Sequence, residues 1–270
     1  MTVPPTTAEL MVVTLARELR NGEVGMTGAN STVPVAACLL AQQLHAPDFT
    51  LILPSGVVNP APGRLYRSAS DGRWLAGAEA VGSAYDLFEL SENGRLDVMF
   101  YGGVQIDRHG NINLTRTGPP GGPPAFRGPG LANISFAVVC RRIMLYSATH
   151  TPRTFVDRVD YLTAPGHLDG GDARRRAGIT TEGPVFCITP LAAMGFTEPD
   201  RALTVRSIHP GVTPEHVQAA TGFPLPEPPP WPHTPPPTTE ELTTLREVVD
   251  TTGVLRAPAA TRIPSGGASR

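Results

Sequence analysis

The chain has 270 residues, long for one domain and short for two, with 40% hydrophobic residues, sparse charge at 17% and 30 prolines, about twice the usual share. All 22 of its Lys+Arg residues are arginine, which excludes a Schiff-base lysine, a pyridoxal-phosphate lysine and a P-loop Gly-Lys-Ser/Thr. A net charge of −2 with one tight basic cluster, Arg174–Arg176, argues against nucleic acid as a partner, and no apolar run reaches the ~18 residues of a membrane span.

Glu9–Arg20, after Thr7, opens the fold: Val12, Leu15, Ala16 and Leu19 recur at helical spacing, predicting an amphipathic helix that Asn21-Gly22 stops. Val24–Thr27 is extended and runs into Gly28-Ala29-Asn30-Ser31-Thr32. Pro34 then marks a helix start, with Val35–Leu44 apolar on one side. Phe49–Leu53 is a second apolar strand, broken by Pro54-Ser55-Gly56. Helix, strand, glycine turn, helix, strand is the order of an α/β fold with an open, mainly parallel sheet and glycine-rich loops at strand ends. Residues 59–82 carry little periodicity. A helix through Ala84–Leu90 ends at Asn93-Gly94, Leu96–Tyr101 is a strand leading into Gly102-Gly103, and Asp107–Asn113 is a tight turn inside a hairpin-like stretch.

Residues 117–130 hold five Gly and five Pro in fourteen positions, a loop long enough to suggest function. Phe136–Cys140, Ile143–Tyr146, Val185–Thr189, Leu191–Phe196 and Leu203–Ile208 are further predicted strands, the last three in a meander, and Pro214–Thr221 is a short helix closed by Gly222. These elements make residues 1–223 one α/β domain. Residues 224–237, nine of them proline, form an extended strap. A last helix within 238–256 packs on the domain, capped by Thr238 or Thr239 with Glu240-Glu241 and presenting Leu242, Leu245, Val248 and Val249. Residues 257–270 read as a disordered tail.

The three cysteines, Cys38, Cys140 and Cys187, lack metal or disulfide spacing and read as buried apolar residues in a reducing compartment. The start shows no charged region followed by an apolar one, so a cytoplasmic location is expected. The histidines form no close pair with each other or with cysteine, so no metal site is expected. Gly118–Gly130 is a candidate for offering backbone N–H groups to an oxyanion, or a solvated loop. Ser55, exposed at a strand end, has no visible base and is a weak nucleophile on its own.

Seven segments in order, GEVGMTGANSTVP, LHAPDFTLI, FYGGVQIDRHGNINLTRTG, FRGPGLAN, VDYLTAPGHLDGGDARRRAGI, IHPGVTPEHVQAATGF and LREVVDTTGVLR, are similar to the β-subunits of heteromeric class I CoA-transferases of the glutaconate CoA-transferase type. The resemblance spans nearly the whole chain. It implies a CoA-transferase-type α/β subunit that pairs with an α-type subunit, as heterodimer or heterotetramer, and binds an acyl-CoA at the interface. Coenzyme A would enter as part of the substrate, with no other cofactor, no nucleic acid and no membrane involved.

One departure matters most. Where such transferases carry a Glu-Ser-Gly step after the second strand, this chain has Pro54-Ser55-Gly56, and proline cannot form an acyl anhydride or an enzyme–CoA thioester. The tetrapeptide Ser91-Glu92-Asn93-Gly94 resembles the nucleophile motif of another acyl-CoA transferase branch, but here it ends a helix, where Asn-Gly is an ordinary cap. Relatives lacking the glutamate are known to cleave a steroid-derived acyl-CoA ring hydrolytically or to decarboxylate a glutaconyl-type CoA. The resemblance therefore implies thioester binding by Asn30, Ser31, Gly102, Gly103, Gly128 and Gly130, with Ser55 and Gln105 as the candidate catalytic residues. With Pro54 in place of the glutamate, a general acid/base is expected mostly from the partner subunit. Leu131, replacing a glycine of the family's Gly-X-Gly-Gly loop, and the prolines of 117–124 suggest an altered acyl pocket. Arg64, Arg67 and Arg73 are candidates for CoA phosphates or a second carboxylate, or are surface residues. A transferase using another carboxylate and a non-catalytic structural subunit are the alternatives.

Overall fold

The computed structural model describes residues 3–130, 134–225 and 230–257. Leu131, the strap's residues 226–229 and the predicted tail beyond residue 257 lie outside them. In chain order, α1 (Thr7–Ala16), β1 (Val24–Met26), α2 (Thr32–Leu44) and β2 (Thr50–Ile52) open the fold as the sequence predicts. Two short strands, β3 (Val57–Val58) and β4 (Ala80–Val81), lead to α3 (Ala84–Glu92) and β5 (Val98–Tyr101). The hairpin β6 (Gln105–Asp107) and β7 (Ile112–Asn113) follows, then a ribbon of β8 (Arg116–Thr117) and β9 (Phe126–Arg127). Next come α4 (Phe136–Val139), β10 (Arg142–Tyr146), β11 (Phe155–Val156) and α5 (Ala173–Arg176). The meander β12 (Gly183–Ile188), β13 (Ala192–Thr197) and β14 (Ala202–Ile208), with α6 (Pro214–Ala220) and α7 (Thr239–Thr244), completes the chain.

Nine strands form one sheet in the order β14-β13-β12-β10-β5-β1-β2-β3-β4. Its centre is parallel, β12-β10-β5-β1-β2, and both edges are antiparallel. Strand residues alternate between two cores. Val98 and Phe100 of β5 face the layer that holds α1 and α2, whereas Met99 and Tyr101 face the layer that holds Phe136 of α4, Val217 of α6 and the β6–β7 hairpin. Covering both faces is what a parallel sheet requires.

Three local expectations change. Phe136–Cys140 is helical, not a strand: five apolar residues are too few to show a period, and the contact of Phe136 with Phe88 of α3 (ring centroids 4.9 Å apart) seats the turn. The first helix stops at Ala16 rather than Arg20, and it is not half-exposed. Every residue from Glu9 to Ala16 is buried, because the chain's C-terminal segment covers the outer side. Arg246 pairs with Glu9 at 2.8 Å and Arg17 with Glu241 at 2.7 Å. The last helix opens at Thr238 with the expected capping box, but from Leu245 to Val249 it widens into a π turn that buries those two residues and leaves Val248 exposed.

The described part of the proline strap lies on this subunit. Ile208 N–H donates to Pro232 O (3.0 Å), Thr234 N–H to Ile208 O (2.7 Å), and Arg17 holds the carbonyls of Pro235 and Pro236. All three cysteines are free and buried, and no helix among the described residues is long and apolar enough to cross a membrane.

Candidate active site

Strand β1 joins β2 on one side and β5 on the other. The chain therefore moves outward from β1 in one direction, returns, and builds the rest of the sheet in the opposite direction. At such a switch point the loops after adjacent strands diverge and open a crevice at the carboxyl ends, the usual ligand position in open α/β sheets. A cavity of about 650 Å³ lies there. Met26 at the end of β1 with Gly28–Asn30 after it, Pro54 after β2, Tyr101 at the end of β5 with Gly102–Val104, and Tyr146 at the end of β10 with Ser147-Ala148 form its floor. Leu87 and Phe88 of α3, Phe136 of α4, and Leu114 with Pro129-Gly130 form its walls.

The floor offers backbone donors. Neither Gly102 nor Gly103 donates its N–H to any acceptor among the described residues, whereas the next residue, Val104, donates to Asn113 O at 2.8 Å. Glycine is required at Gly103, and there is little room for a side chain at Gly102. A Cβ on Gly103 would stand 2.8 Å from Asn113 O and 2.9 Å from Gln105 O, and one on Gly102 would stand 3.2 Å from Tyr146 O. Free N–H groups at a cavity are the type of donor that can serve a developing oxyanion, where one well-placed donor contributes about 3–4 kcal/mol.

The Gly28–Ser31 turn is held differently. Asn30 is exposed on the cavity wall, and its carbonyl accepts from the Tyr146 hydroxyl at 2.8 Å. Ser31 is buried behind it. Its Oγ lies 2.8 Å from the Tyr146 oxygen and makes no cap bond to α2, although a serine cap is worth about 1 kcal/mol to a helix. Burial pushes the Tyr146 phenol up, with the Ser31 hydrogen bond opposing it, so the hydroxyl keeps its proton. Asn30 O can only accept, so that proton points at Asn30, and Ser31 Oγ–H donates to the Tyr146 oxygen.

Pro54 lines the cavity as the second residue of a turn closed by Gly56 N–H on Leu53 O (2.9 Å), a position that suits proline's fixed φ. Gly56, at φ +83°, packs so closely on Gly82 O that a Cβ would collide. Ser55 is the third residue, exposed and off the cavity wall. The structure does not bring Gln105 to the wall either. It is buried, and its Oε1 accepts from Asn113 Nδ2 (2.8 Å) and Asp160 N–H (3.0 Å).

Gly128 and Gly130 spend their N–H groups on Thr115 O (2.8 Å) and Leu114 O (3.0 Å). The ribbon loop thus shapes the wall without donating those two N–H groups to a ligand. Glu92 is exposed at the end of α3, away from the cavity wall. Of the three arginines in the irregular segment, Arg73 is taken by Asp71 at 2.7 Å, and Arg64 and Arg73 lie over the Tyr66 ring. Arg67 is exposed, and its carbonyl accepts from Thr32 Oγ1 beside the Asn30 turn.

Among the described residues the cavity wall carries no Asp, Glu, His, Cys or Arg. Its only ordinarily titratable side chains are Tyr101 and Tyr146, both with phenol pKa values raised by burial. Among the described residues no group of acidic, histidine or cysteine side chains is placed to hold a metal. Sequence reasoning missed Tyr146 and the ring pair Phe88–Phe136. The one available signal for Tyr146 was an amphipathic aromatic at the carboxyl end of a buried strand.

The model of the family described as coenzyme A transferase matches residues 8–220. The chain is 37% identical over 218 residues to the B subunit of 3-oxoadipate CoA-transferase from Pseudomonas knackmussii, covering 80% of this chain and 83% of that one. It is 30% identical to the B subunit of glutaconate CoA-transferase from Acidaminococcus fermentans (82% and 84% covered) and 28% identical to the cholesterol ring-cleaving hydrolase IpdB subunit of Rhodococcus jostii (85% and 86% covered). Among solved structures, glutaconate coenzyme A-transferase of A. fermentans superposes with a TM-score of 0.84 at 27% identity (94% and 98% covered). The decarboxylase AibA/AibB does so with 0.81 at 26% identity (95% and 99% covered).

Proposed function

The chain belongs to the coenzyme A transferase family, and from that premise we propose that it is the β-type half of a heteromeric enzyme that cleaves an acyl-CoA by hydrolytic C–C cleavage or decarboxylation, without covalent attachment to this chain. The observation that carries this reading is the composition of the cavity wall. A transferase needs a carboxylate to attack the thioester. Here the residue after β2 at the cavity is Pro54, and no carboxylate of the described residues lines the wall.

What remains is a pair of N–H donors, Gly102 and Gly103, suited to a thioester oxygen on which negative charge develops. In decarboxylation the C–C bond to the departing carboxylate breaks and its electron pair runs into the thioester carbonyl. CO₂ leaves, and a proton is returned to carbon. In hydrolytic cleavage water adds to a ketone of the acyl chain, the C–C bond beside it breaks, and the electron pair reaches the same oxygen while the ketone carbon becomes a carboxylic acid. Both routes pass through a thioester enolate, so one donor pair serves either. The proton donor and base come from the α-type partner, since no Asp, Glu or His of the described residues lines this wall. Coenzyme A enters as part of the substrate.

The wall also bears on the acyl group. Leu87, Phe88, Leu114 and Phe136 surround it, and no cation of the described residues lines it. A carboxylate retained through the reaction would be desolvated without a partner. This half of the crevice therefore offers an apolar surface to the acyl group, and any charge the group retained would need a partner from the α-type subunit.

The relatives support the heteromer and the chemistry other than CoA transfer. The two transferase B subunits, the IpdB hydrolase subunit and the AibA/AibB decarboxylase are members of multi-subunit systems, and the last two names describe reactions other than CoA transfer. The identity to the 3-oxoadipate CoA-transferase protein favours a second reading, true CoA transfer with a carboxylate from elsewhere.

Co-expression with the α-type partner and incubation with acyl-CoAs that carry either a carboxylate placed to leave as CO₂ or a ketone placed for hydrolytic cleavage separates the two. Consumption of one of them without any added acceptor acid is the expected result. Turnover only when a free carboxylic acid is present, with the CoA moved onto it, would replace this reading by the second.

A further inference from the structure

Tyr146 stands at the end of β10 and touches both halves of the crevice floor. Its ring lies against Gly102, 3.4 Å from where a Cβ would be, and its hydroxyl is bonded to Asn30 O and Ser31 Oγ at 2.8 Å each. These partners come from β1's turn and from the β5 end, 115 and 44 positions away in the chain, so no local sequence preference joins them. We propose that Tyr146 is a positioning residue that clamps the Gly28–Ser31 turn to the Gly102–Gly103 donors, so that the Asn30 side chain and the two glycine N–H groups face the same thioester. The inference rests on the acyl-CoA reading above.

The local chemistry supports a clamp. Ser31 directly precedes α2, where a serine ordinarily turns its oxygen back onto the helix N–H groups. It makes no such bond, and its hydroxyl is committed to Tyr146 instead. Asn30 lines the cavity, and its side-chain amide has no partner among the described residues. Among those residues, the one hydrogen bond holding Asn30 itself is therefore that from Tyr146. Without the phenol oxygen, Ser31 is free to cap α2 and the Asn30 end of the turn loses its tie, while Ala29 O stays held by Ala69 N–H at 2.9 Å.

Tyr146→Phe keeps the ring on Gly102 and removes both bonds. In the assembled complex kcat for a consumed acyl-CoA should fall about 10- to 100-fold, the scale of a small misplacement of a binding group, with KM within about threefold. Asn30→Ala should lower kcat in the wild-type background and add almost nothing in the Tyr146→Phe background, since residues that act as a unit are not additive. Ser31→Ala, which breaks one bond only, should fall between the wild type and Tyr146→Phe. Hydrogen exchange of a peptide spanning residues 27–33 should quicken in Tyr146→Phe whether or not a substrate is in hand.

Unchanged exchange, a wild-type kcat, or a full additional loss from Asn30→Ala in the Tyr146→Phe background would overturn the proposal. A wild-type complex inert toward every acyl-CoA while the exchange still quickens would instead remove the functional reading and leave the clamp standing.

Discussion

Two neighbouring stretches of this chain are built from the same residue types and are put to opposite use. In the hairpin around Asp107–Asn113 polar groups consume one another. Asp107 accepts from the N–H groups of His109 and Asn111 and from Asn111 Nδ2, all at 3.0 Å. Asn111 Oδ1 takes the N–H groups of Gly166 and Leu168, and Asn113 Oδ1 those of Thr115 and Arg116. At the switch crevice Gly102 and Gly103 leave their N–H groups unspent among the described residues, and the Asn30 amide faces open space. Glycine and asparagine mark both places equally. What separates them is whether the donors are still available once the chain has folded, because a donor left free at a cavity is open to a ligand, whereas one consumed inside the fold is not.

Substitutions should pull the two regions apart. The largest expected effect is in the crevice. Gly103→Ala drives a Cβ into backbone atoms at 2.8 and 2.9 Å and displaces a donor, so turnover of the assembled complex should drop about 100-fold or more. Gly102→Ala, with 3.2 Å to its nearest neighbour, should lose less. In the hairpin Asp107→Ala should do the reverse. It strands buried N–H groups and should cost about 2–3 kcal/mol of stability in denaturant titration, while kcat of the folded complex stays within about twofold of the wild type. Loss of kcat without loss of stability in that variant would break the comparison.

Acid should separate the regions too. Burial pushes His150 and His167 down to about 4, below the ordinary imidazole value near 6.5. Their neutral forms belong to the folded state. Stability is therefore full above about pH 6.5 and is lost as pH falls toward 4, at most about 1.4 kcal/mol per unit for each ring. Thermal melts across that window read this directly. From pH 5 to 9 the wall of the crevice should add no ionisation of its own to kcat, because its phenols are raised. The smallest effect is expected at Ser55. It is exposed and off the wall, so Ser55→Ala should leave kcat within about twofold.

The order of elements was readable from local pattern. β1, β2 and β5 are short apolar runs stopped by glycine or proline, and Thr238 with Glu241 forms the capping box its spacing announces. The α4 turn was not, because Phe-Ala-Val-Val-Cys suits a strand as well as a helix and its neighbour Phe88 decides. For the site, the glycines after β5 and the turn after β1 could be singled out, as they end strands. Gln105 looked similar to them, but its amide oxygen is spent on Asn113 and Asp160, and an exhausted acceptor leaves no trace in sequence. The Tyr146 clamp was illegible for the same reason: it joins residues that only the sheet order brings together.

The central claim is that thioester chemistry at this crevice proceeds without a covalent bond to this chain. The most direct measurement is the intact mass of the chain, taken from the assembled complex quenched during turnover of an acyl-CoA. An unchanged mass alongside accumulating product is the predicted result. A mass increase matching coenzyme A or the acyl group, on this chain and at a rate that keeps pace with turnover, would contradict the account, because no carboxylate of the described residues lines the crevice wall.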